Sequence, residues 1–320
     1  MITQELNRGW YIQPCMGESW KVKTDIPCSV LHAMLDAKLA PDPFYRKNEY
    51  EVRELLDQDF CYTLYFTPQK EVLAQQYAEL VFYGLDTLAD IRLNGEFLGM
   101  VDNMHRTWHF PVSGRLKAGE NCLEIVFHSS LRYIREKGQD AIVHYVAKGC
   151  IRGNNFLRKA HCMFGWDWGP QLPDTGIWRP VELNAFSGAR LADVHVEQRH
   201  NKGTVSLQVD IQLDELPGSN KNTVCCVLTS PSGDTMQAQE EPNTGKTSVS
   251  FTVAAPQLWW PNTYGEQPLY TLRVELWGEN GQVQDVWQKQ IGLRELTVSR
   301  EKDEWGEEFC FQVNGVKIFA

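Results

Sequence analysis

Short strand-like runs separated by turn residues fill the chain from about Phe60 onward, and this spacing restricts the fold more than any other feature of the sequence. The sharpest instance is Leu88-Ala89-Asp90-Ile91-Arg92-Leu93 followed by Asn94-Gly95 and then Glu96-Phe97-Leu98-Gly99-Met100-Val101. Asn and Gly both tolerate the positive φ of a type I′ turn, so this stretch is a β-hairpin. Further strands are expected at 62–67, 79–83, 106–112, 121–128 and 178–183, each bounded by Gly, Pro, Asn or Asp; together they make one sandwich. Two helical spacings interrupt it. Ser29 is placed to cap a helix with Val30, Leu31, Met34, Leu35 and Leu39 on one stripe, and Ser130 to cap 131–137.

A second strand series begins near Ala192, at 194–198, 204–213, 223–229, 247–253, 269–277 and 283–291. That spacing suits an immunoglobulin-like sandwich, although Cys225 and Cys226 are adjacent and no Cys…Trp…Cys pattern follows. The small, polar Ser187-Gly188-Ala189 after Phe186 marks the boundary. Near the C-terminal end, 309–312 and 316–319 flank Asn314-Gly315 as another hairpin. The sequence stops on Phe319-Ala320, and an apolar strand end of this kind leads us to expect a chain cut from a longer one.

Composition narrows the function classes. A length of 320 residues allows two domains or three small ones, and 42% hydrophobic with 22% charged residues is ordinary globular usage. Lys and Arg number 31 against 41 Asp and Glu, and a net charge of −10 repels polyanions, so nucleic acid is not an expected partner. No apolar run approaches the roughly 18 residues of a membrane span, so no membrane association is expected. The first residues carry neither a basic nor an apolar leader segment. Nine cysteines, an odd number without CxxC spacing, point to reduced thiols and a cytoplasmic location rather than to a disulfide framework or zinc site.

Residues 164–179 hold three tryptophans, two aspartates, three glycines and two prolines. Gly and Pro make this a loop, yet it carries aromatic bulk that loops seldom expose. Sugars present C–H faces that pack on indole and hydroxyls that donate to carboxylate, so Trp166-Asp167-Trp168 suits a carbohydrate site. The residues alone equally allow Trp166 and Trp168 to pack an interdomain seam while Asp167 caps a turn.

Arg158-Lys159-Ala160, Phe164-Gly165-Trp166-Asp167-Trp168-Gly169-Pro170 and Gly176-Ile177-Trp178-Arg179 closely resemble the corresponding stretch of the β-mannosidases of glycoside hydrolase family 2. Asp42-Pro43-Phe44-Tyr45-Arg46 with Asn48-Glu49, Gly84-Leu85-Asp86-Thr87-Leu88-Ala89-Asp90, Leu93-Asn94-Gly95 and Asp102-Asn103-Met104 resemble that family's sugar-binding sandwich. Leu258-Trp259-Trp260-Pro261-Asn262 with Tyr264-Gly265-Glu266-Gln267-Pro268-Leu269-Tyr270 is similar to its immunoglobulin-like domain. Ile291-Gly292-Leu293-Arg294 and Phe311-Gln312-Val313-Asn314-Gly315-Val316 look like the first strands of its catalytic barrel.

The resemblance implies an all-β chain: a jelly-roll-like, galactose-binding-type sandwich over 1–187, an immunoglobulin-like sandwich over 188–297, and at 298–320 the opening strands of a (β/α)₈ barrel that lies beyond Ala320. In this family two barrel glutamates, about 5 to 5.5 Å apart, perform a retaining double displacement. These 320 residues are therefore expected to hold no catalytic residue and to be inactive alone. The resemblance further implies that the loop of Trp166, Asp167 and Trp168 reaches the −1 sugar, with Asp167 accepting hydroxyls and Trp166 lining the pocket. The expected partners are β-mannoside oligosaccharides and the chain's own barrel, with no cofactor and no metal. The alternatives are another family-2 activity (β-galactosidase, β-glucuronidase or exo-β-glucosaminidase) and a free-standing carbohydrate-binding protein. The Gly-Trp-Asp-Trp-Gly-Pro run argues against the first, and several hundred further codons would exclude the second.

Smaller signals are read as structural. Glu240-Glu241 are taken as solvated turn residues, His105 and His109 as strand-like despite their i, i+4 spacing, Trp259-Trp260 as a domain interface before a lectin platform, and Cys225-Cys226 as core.

Overall fold

The computed structural model describes residues 1–16, 20–138, 148–219 and 221–320. They divide into two compact units, Ile2–Phe186 and Ser187–Ala320, with Met1 grouped in the second. The strands of the first unit are β1 (Ile2–Glu5), β2 (Trp10–Pro14), β3 (Val22–Thr24), β4 (Cys28–Ser29), β5 (Phe60–Phe66), β6 (Tyr77–Phe82), β7 (Leu85–Asp86), β8 (Ala89–Leu93), β9 (Glu96–Val101), β10 (Trp108–Pro111), β11 (Asn121–Phe127), β12 (Gly176–Ile177) and β13 (Val181–Phe186). They form one sheet in the order β1-β13-β6-β10, a second in the order β3-β2-β5-β11-β8-β9, and a small third one, β4-β12-β7.

The reason for a sandwich is visible in β11, where Asn121, Leu123, Ile125 and Phe127 are buried and the residues between them are not. Alternate residues of a strand point to opposite faces, so one face goes to the core. Trp10, Phe60, Tyr62, Leu80, Phe82, Ile91, Leu123 and Leu183 meet there, fully buried. The expected hairpin is β8-β9, with Leu93 opposite Glu96 and with Asn94 and Gly95 at φ 55° and 84°.

Several boundaries differ from expectation for identifiable reasons. Helix α1 (Val30–Asp36) is capped by Ser29, whose hydroxyl accepts from the His32 N–H at 3.2 Å, but it stops before Leu39, which is exposed. Helix α2 (Asn48–Leu56) and the short α3 (Lys70–Leu73) were not expected at all. Helix α4 (Ser130–Gly138) is capped by Ser129 rather than Ser130: the Ser129 hydroxyl accepts from the Arg132 N–H at 3.0 Å. The strand expected at 178–183 begins only at Val181, because Trp178 turns onto Gly84 and Pro180 has no N–H to give a ladder.

The second unit carries β14 (Ala189–Asn201), β15 (Thr204–Glu215), β16 (Asn222–Thr229), β17 (Thr235–Glu240), β18 (Lys246–Ala254), β19 (Tyr270–Gly278) and β20 (Val283–Ile291). Sheets β14-β15-β18 and β17-β16-β19-β20 enclose a core that includes Val205, Leu207, Val209, Val224, Cys226, Leu272, Val274 and Leu276. This is the immunoglobulin-like sandwich. Glu240 ends β17 rather than sitting in a turn, although it and Glu241 are exposed as expected. Trp259 and Trp260 are half-buried within this unit, packed on Gly292 and Gly265. A last small sheet, β21 (Leu296–Ser299), β22 (Cys310–Val313) and β23 (Val316–Ile318), turns through Asn314-Gly315.

All nine cysteines are free thiols. Burial, with Cys225 beside it, pushes the Cys226 thiol up to about 12. Titration after denaturation is expected to find nine thiols, with Cys28, Cys225 and Cys226 protected in the native protein. A count of seven or fewer would reveal a disulfide and reverse the reading of a reducing compartment.

Candidate functional site

Lys159 closes the base of a loop. Its side chain is fully buried, and its Nζ donates both to the Asp174 carbonyl at 2.6 Å and to the carboxylate of Asp86 on β7. The two ends of residues 159–174 therefore meet at one point, in the manner of an Ω-loop. Burial lowers the Lys159 ammonium from its usual value, against the pull of Asp86. Burial likewise raises Asp174, although its carboxylate accepts from the N–H groups of Leu31 at 3.0 Å and Thr175 at 2.7 Å. The Thr175 hydroxyl donates to the Asp86 carbonyl, completing the knot.

Within the loop, a 3₁₀ turn at His161–Phe164 drives Phe164 into a small cluster with Leu157 and with Leu131 and Ile134 of α4. Gly165 follows at φ 100°, where a Cβ would stand 2.8 Å from the Gly149 carbonyl oxygen, so glycine is required on both counts. Two hydrogen bonds tie the loop to the facing segment, from the Ile151 backbone N–H to the Phe164 carbonyl at 2.9 Å and from the Cys150 thiol to the Gly165 carbonyl at 2.7 Å. Gln171 is the strut on the other side: its N–H donates to Glu49 at 3.3 Å, its amide nitrogen to the Gly149 carbonyl at 2.8 Å, and its amide oxygen accepts from Arg53. Glu49 and Arg53 belong to α2, so a helix absent from the sequence expectations supports the loop.

At the tip, the Gly169 N–H donates to the Trp166 carbonyl at 3.3 Å. The two indoles stand 6.5 Å apart with planes at 54°, and Trp166 is 48% and Trp168 81% exposed. Asp167 between them is exposed, and its carboxylate has no hydrogen-bond or ion-pair partner among the described residues. A carboxylate offers about four acceptor sites, so an anchored tip carries acceptors that no described residue uses, flanked by two apolar faces. Polyhydroxylated molecules, which present hydroxyls and C–H surface together, are the chemical class that such an arrangement suits. The third tryptophan of the segment, Trp178, is structural: its ring packs on Gly84, its N–H donates to the Met104 carbonyl at 3.1 Å, and Arg179 stacks on it at 4.2 Å.

The first unit also holds a cleft of about 650 Å³ where Asn103, His105, Arg158 and His161 stand beside Phe156 and Leu157, and where Asn103 and Arg158 bridge through their backbones. His109 lies apart on β10, its Nδ1 3.3 Å from the Glu79 carboxylate. Among the described residues no group of three or more His, Cys, Asp or Glu could hold a metal ion.

Residues 10–179 match the glycosyl hydrolase 2 galactose-binding domain-like family, and 189–294 match glycosyl hydrolases family 2. The β-mannosidase B of Emericella nidulans is 33% identical over 325 residues, spanning 98% of this chain and 38% of that protein; the β-mannosidase B of Aspergillus niger is 31% identical with the same coverage. The crystal structure of a β-D-mannosidase from Dictyoglomus thermophilum superposes with a TM-score of 0.92 at 32% identity, over 100% of this chain and 40% of that one. An exo-chitosanase from Amycolatopsis orientalis shares the fold, with a TM-score of 0.74 at 17% identity over 99% of this chain and 36% of its own. The chain thus spans about two fifths of the length of these β-mannosidases.

Proposed function

The chain belongs to glycosyl hydrolase family 2, and from that premise we propose that it is the N-terminal, non-catalytic part of a retaining exo-β-mannosidase. In this reading the loop tip of Trp166, Asp167 and Trp168 contributes to the −1 subsite. The observation that carries it is the exposed Asp167 carboxylate, unpartnered among the described residues, between two exposed indoles on a loop fixed at its base, flank and strut. Similarity at 33% identity over 98% of the chain to a protein named β-mannosidase supports mannose among the sugars such a tip would suit.

The division of labour follows from the chemistry. The acid/base and nucleophile would stand on a barrel supplied by further sequence, while this unit supplies a preorganised wall. The indoles cover C–H faces of the terminal sugar and exclude water. Asp167 then accepts from its hydroxyls where solvent competes less, so the terminal residue is held in register with the reacting carbon. The substrates would be short β-linked manno-oligosaccharides carrying an unsubstituted non-reducing end. A cytoplasmic location is part of the proposal and rests on the nine free thiols.

The test is a hydrolysis panel with the full-length protein on aryl β-D-mannoside, galactoside, glucuronide and glucosaminide. The mannoside is expected to show the highest kcat/KM. Faster cleavage of any other member would replace mannosidase by that activity.

A further inference from the structure

Five large aromatic side chains of the first unit face solvent on two segments that one arginine joins. Trp166 and Trp168 are two of them; the others are Phe44, Tyr45 and Tyr50, which are 76%, 58% and 48% exposed. The turn that carries Phe44 and Tyr45 is firmly built. Pro43 is buried, the Asp42 carboxylate accepts from the Phe44 N–H at 2.9 Å, and the Asn48 side chain donates to the Asp42 carbonyl at 2.9 Å. A guanidinium backs each tyrosine, Arg46 at 5.1 Å from the Tyr45 ring and Arg53 at 5.2 Å from the Tyr50 ring. The same Arg53 donates to Gln171, three residues after Trp168. At most about 10 Å of chain separates that strut from the nearer indole.

We propose that Phe44, Tyr45 and Tyr50 form the platform for the sugar on the reducing side of the scissile bond. The substrate then lies across both segments, its terminal residue at Trp166-Asp167-Trp168 and the next residue over 44–50. This inference rests on the −1 reading above and extends it to specificity. Five exposed rings on two segments tied through Arg53 are more than soluble proteins usually leave without an occupant. A sugar is the occupant whose chemistry fits. An apolar protein surface laid on this turn would strip water from the exposed Arg46 guanidinium and the tyrosine hydroxyls without replacing their hydrogen bonds. A pyranose offers C–H surface to the rings and hydroxyls to those polar groups at the same time. The cation behind each tyrosine fixes its ring without burying the opposite face.

The test compares two substrates on the full-length enzyme. β-Mannosyl fluoride fills only −1, whereas β-linked mannotriose also needs the reducing side. In Phe44→Ala and Tyr45→Ala the ratio of kcat/KM on mannotriose to kcat/KM on the fluoride is expected to fall about tenfold. Tyr45→Phe, which keeps the ring, is expected to retain most of that ratio. Tyr50→Ala, from the adjoining helix, gives an independent reading should a turn variant fail to fold. A ratio unchanged in all three alanine variants overturns the proposal, whether both activities persist or both fall together, because parallel loss marks a packing role against other parts of the chain. A wild-type enzyme that cleaves neither substrate sinks the mannosidase reading itself, and this one with it.

Discussion

Asp167→Asn in the full-length enzyme is expected to lower kcat/KM on a β-mannoside by roughly 10- to 200-fold while leaving the thermal midpoint in place. The substitution keeps the shape and replaces a charged acceptor by a neutral amide. Hydrogen bonds to charged groups are worth about 1.5 to 3 kcal/mol, and about 1.4 kcal/mol is a factor of ten. The fold has little to lose, because no described residue bonds to the Asp167 carboxylate and the loop is fixed by Lys159, Phe164 and Gln171 instead. A surface change of this kind costs within about 0.5 kcal/mol. If Asp167 instead caps the turn, the loss appears in stability, at about 1 kcal/mol, and kcat/KM of the folded fraction holds. A destabilised but fully active variant would take Asp167 out of the site.

What could be read beforehand was whatever local chemistry dictates. Asn94-Gly95 announces its turn because few other pairs accept two positive φ values, and the alternation in β11 and β15 announces a face. Helix α2 escaped because its buried residues amount to Val52 and Leu56, and no side chain caps its start. Strand β17, Thr-Met-Gln-Ala-Gln-Glu, escaped because it is an edge strand exposed along nearly its whole length, so no apolar alternation marks it. The choice between Ser129 and Ser130 as cap turns on one residue of register, which propensity does not resolve when both candidates are serine.

The site divides along the same line. Trp166, Asp167 and Trp168 stand out as a cluster of costly residues in a Gly/Pro-rich loop. Nothing local says that Arg53 meets Gln171 across 118 residues, or that Lys159 meets Asp86 across 73. Such supports are long-range pairings, and a single sequence contains only their ends. Lys159 and Asp86 did fall within the stretches that carry the family resemblance, but their partnership is a property of the fold.

That partnership supplies the last prediction. Lys159→Met is expected to cost about 3 to 5 kcal/mol, because it leaves the Asp86 carboxylate buried without its cation. Against a typical total of about 5 to 15 kcal/mol, this brings the first unit close to unfolding. The loss comes from the stranded charge rather than from a missing attraction, so Lys159→Met with Asp86→Leu should recover part of the stability despite removing more of the native contact. The double variant nevertheless lacks the Nζ bond to the Asp174 carbonyl, and with it the closure of the loop base. Its kcat/KM on mannoside should therefore stay depressed when its denaturation midpoint has risen above that of the single variant. Denaturant unfolding and kinetics on the same preparations separate the two roles. A single variant that loses less than about 1 kcal/mol would mean that Asp86 is not held as a buried anion. A double variant that regains activity along with stability would mean that the loop keeps its place without the lysine.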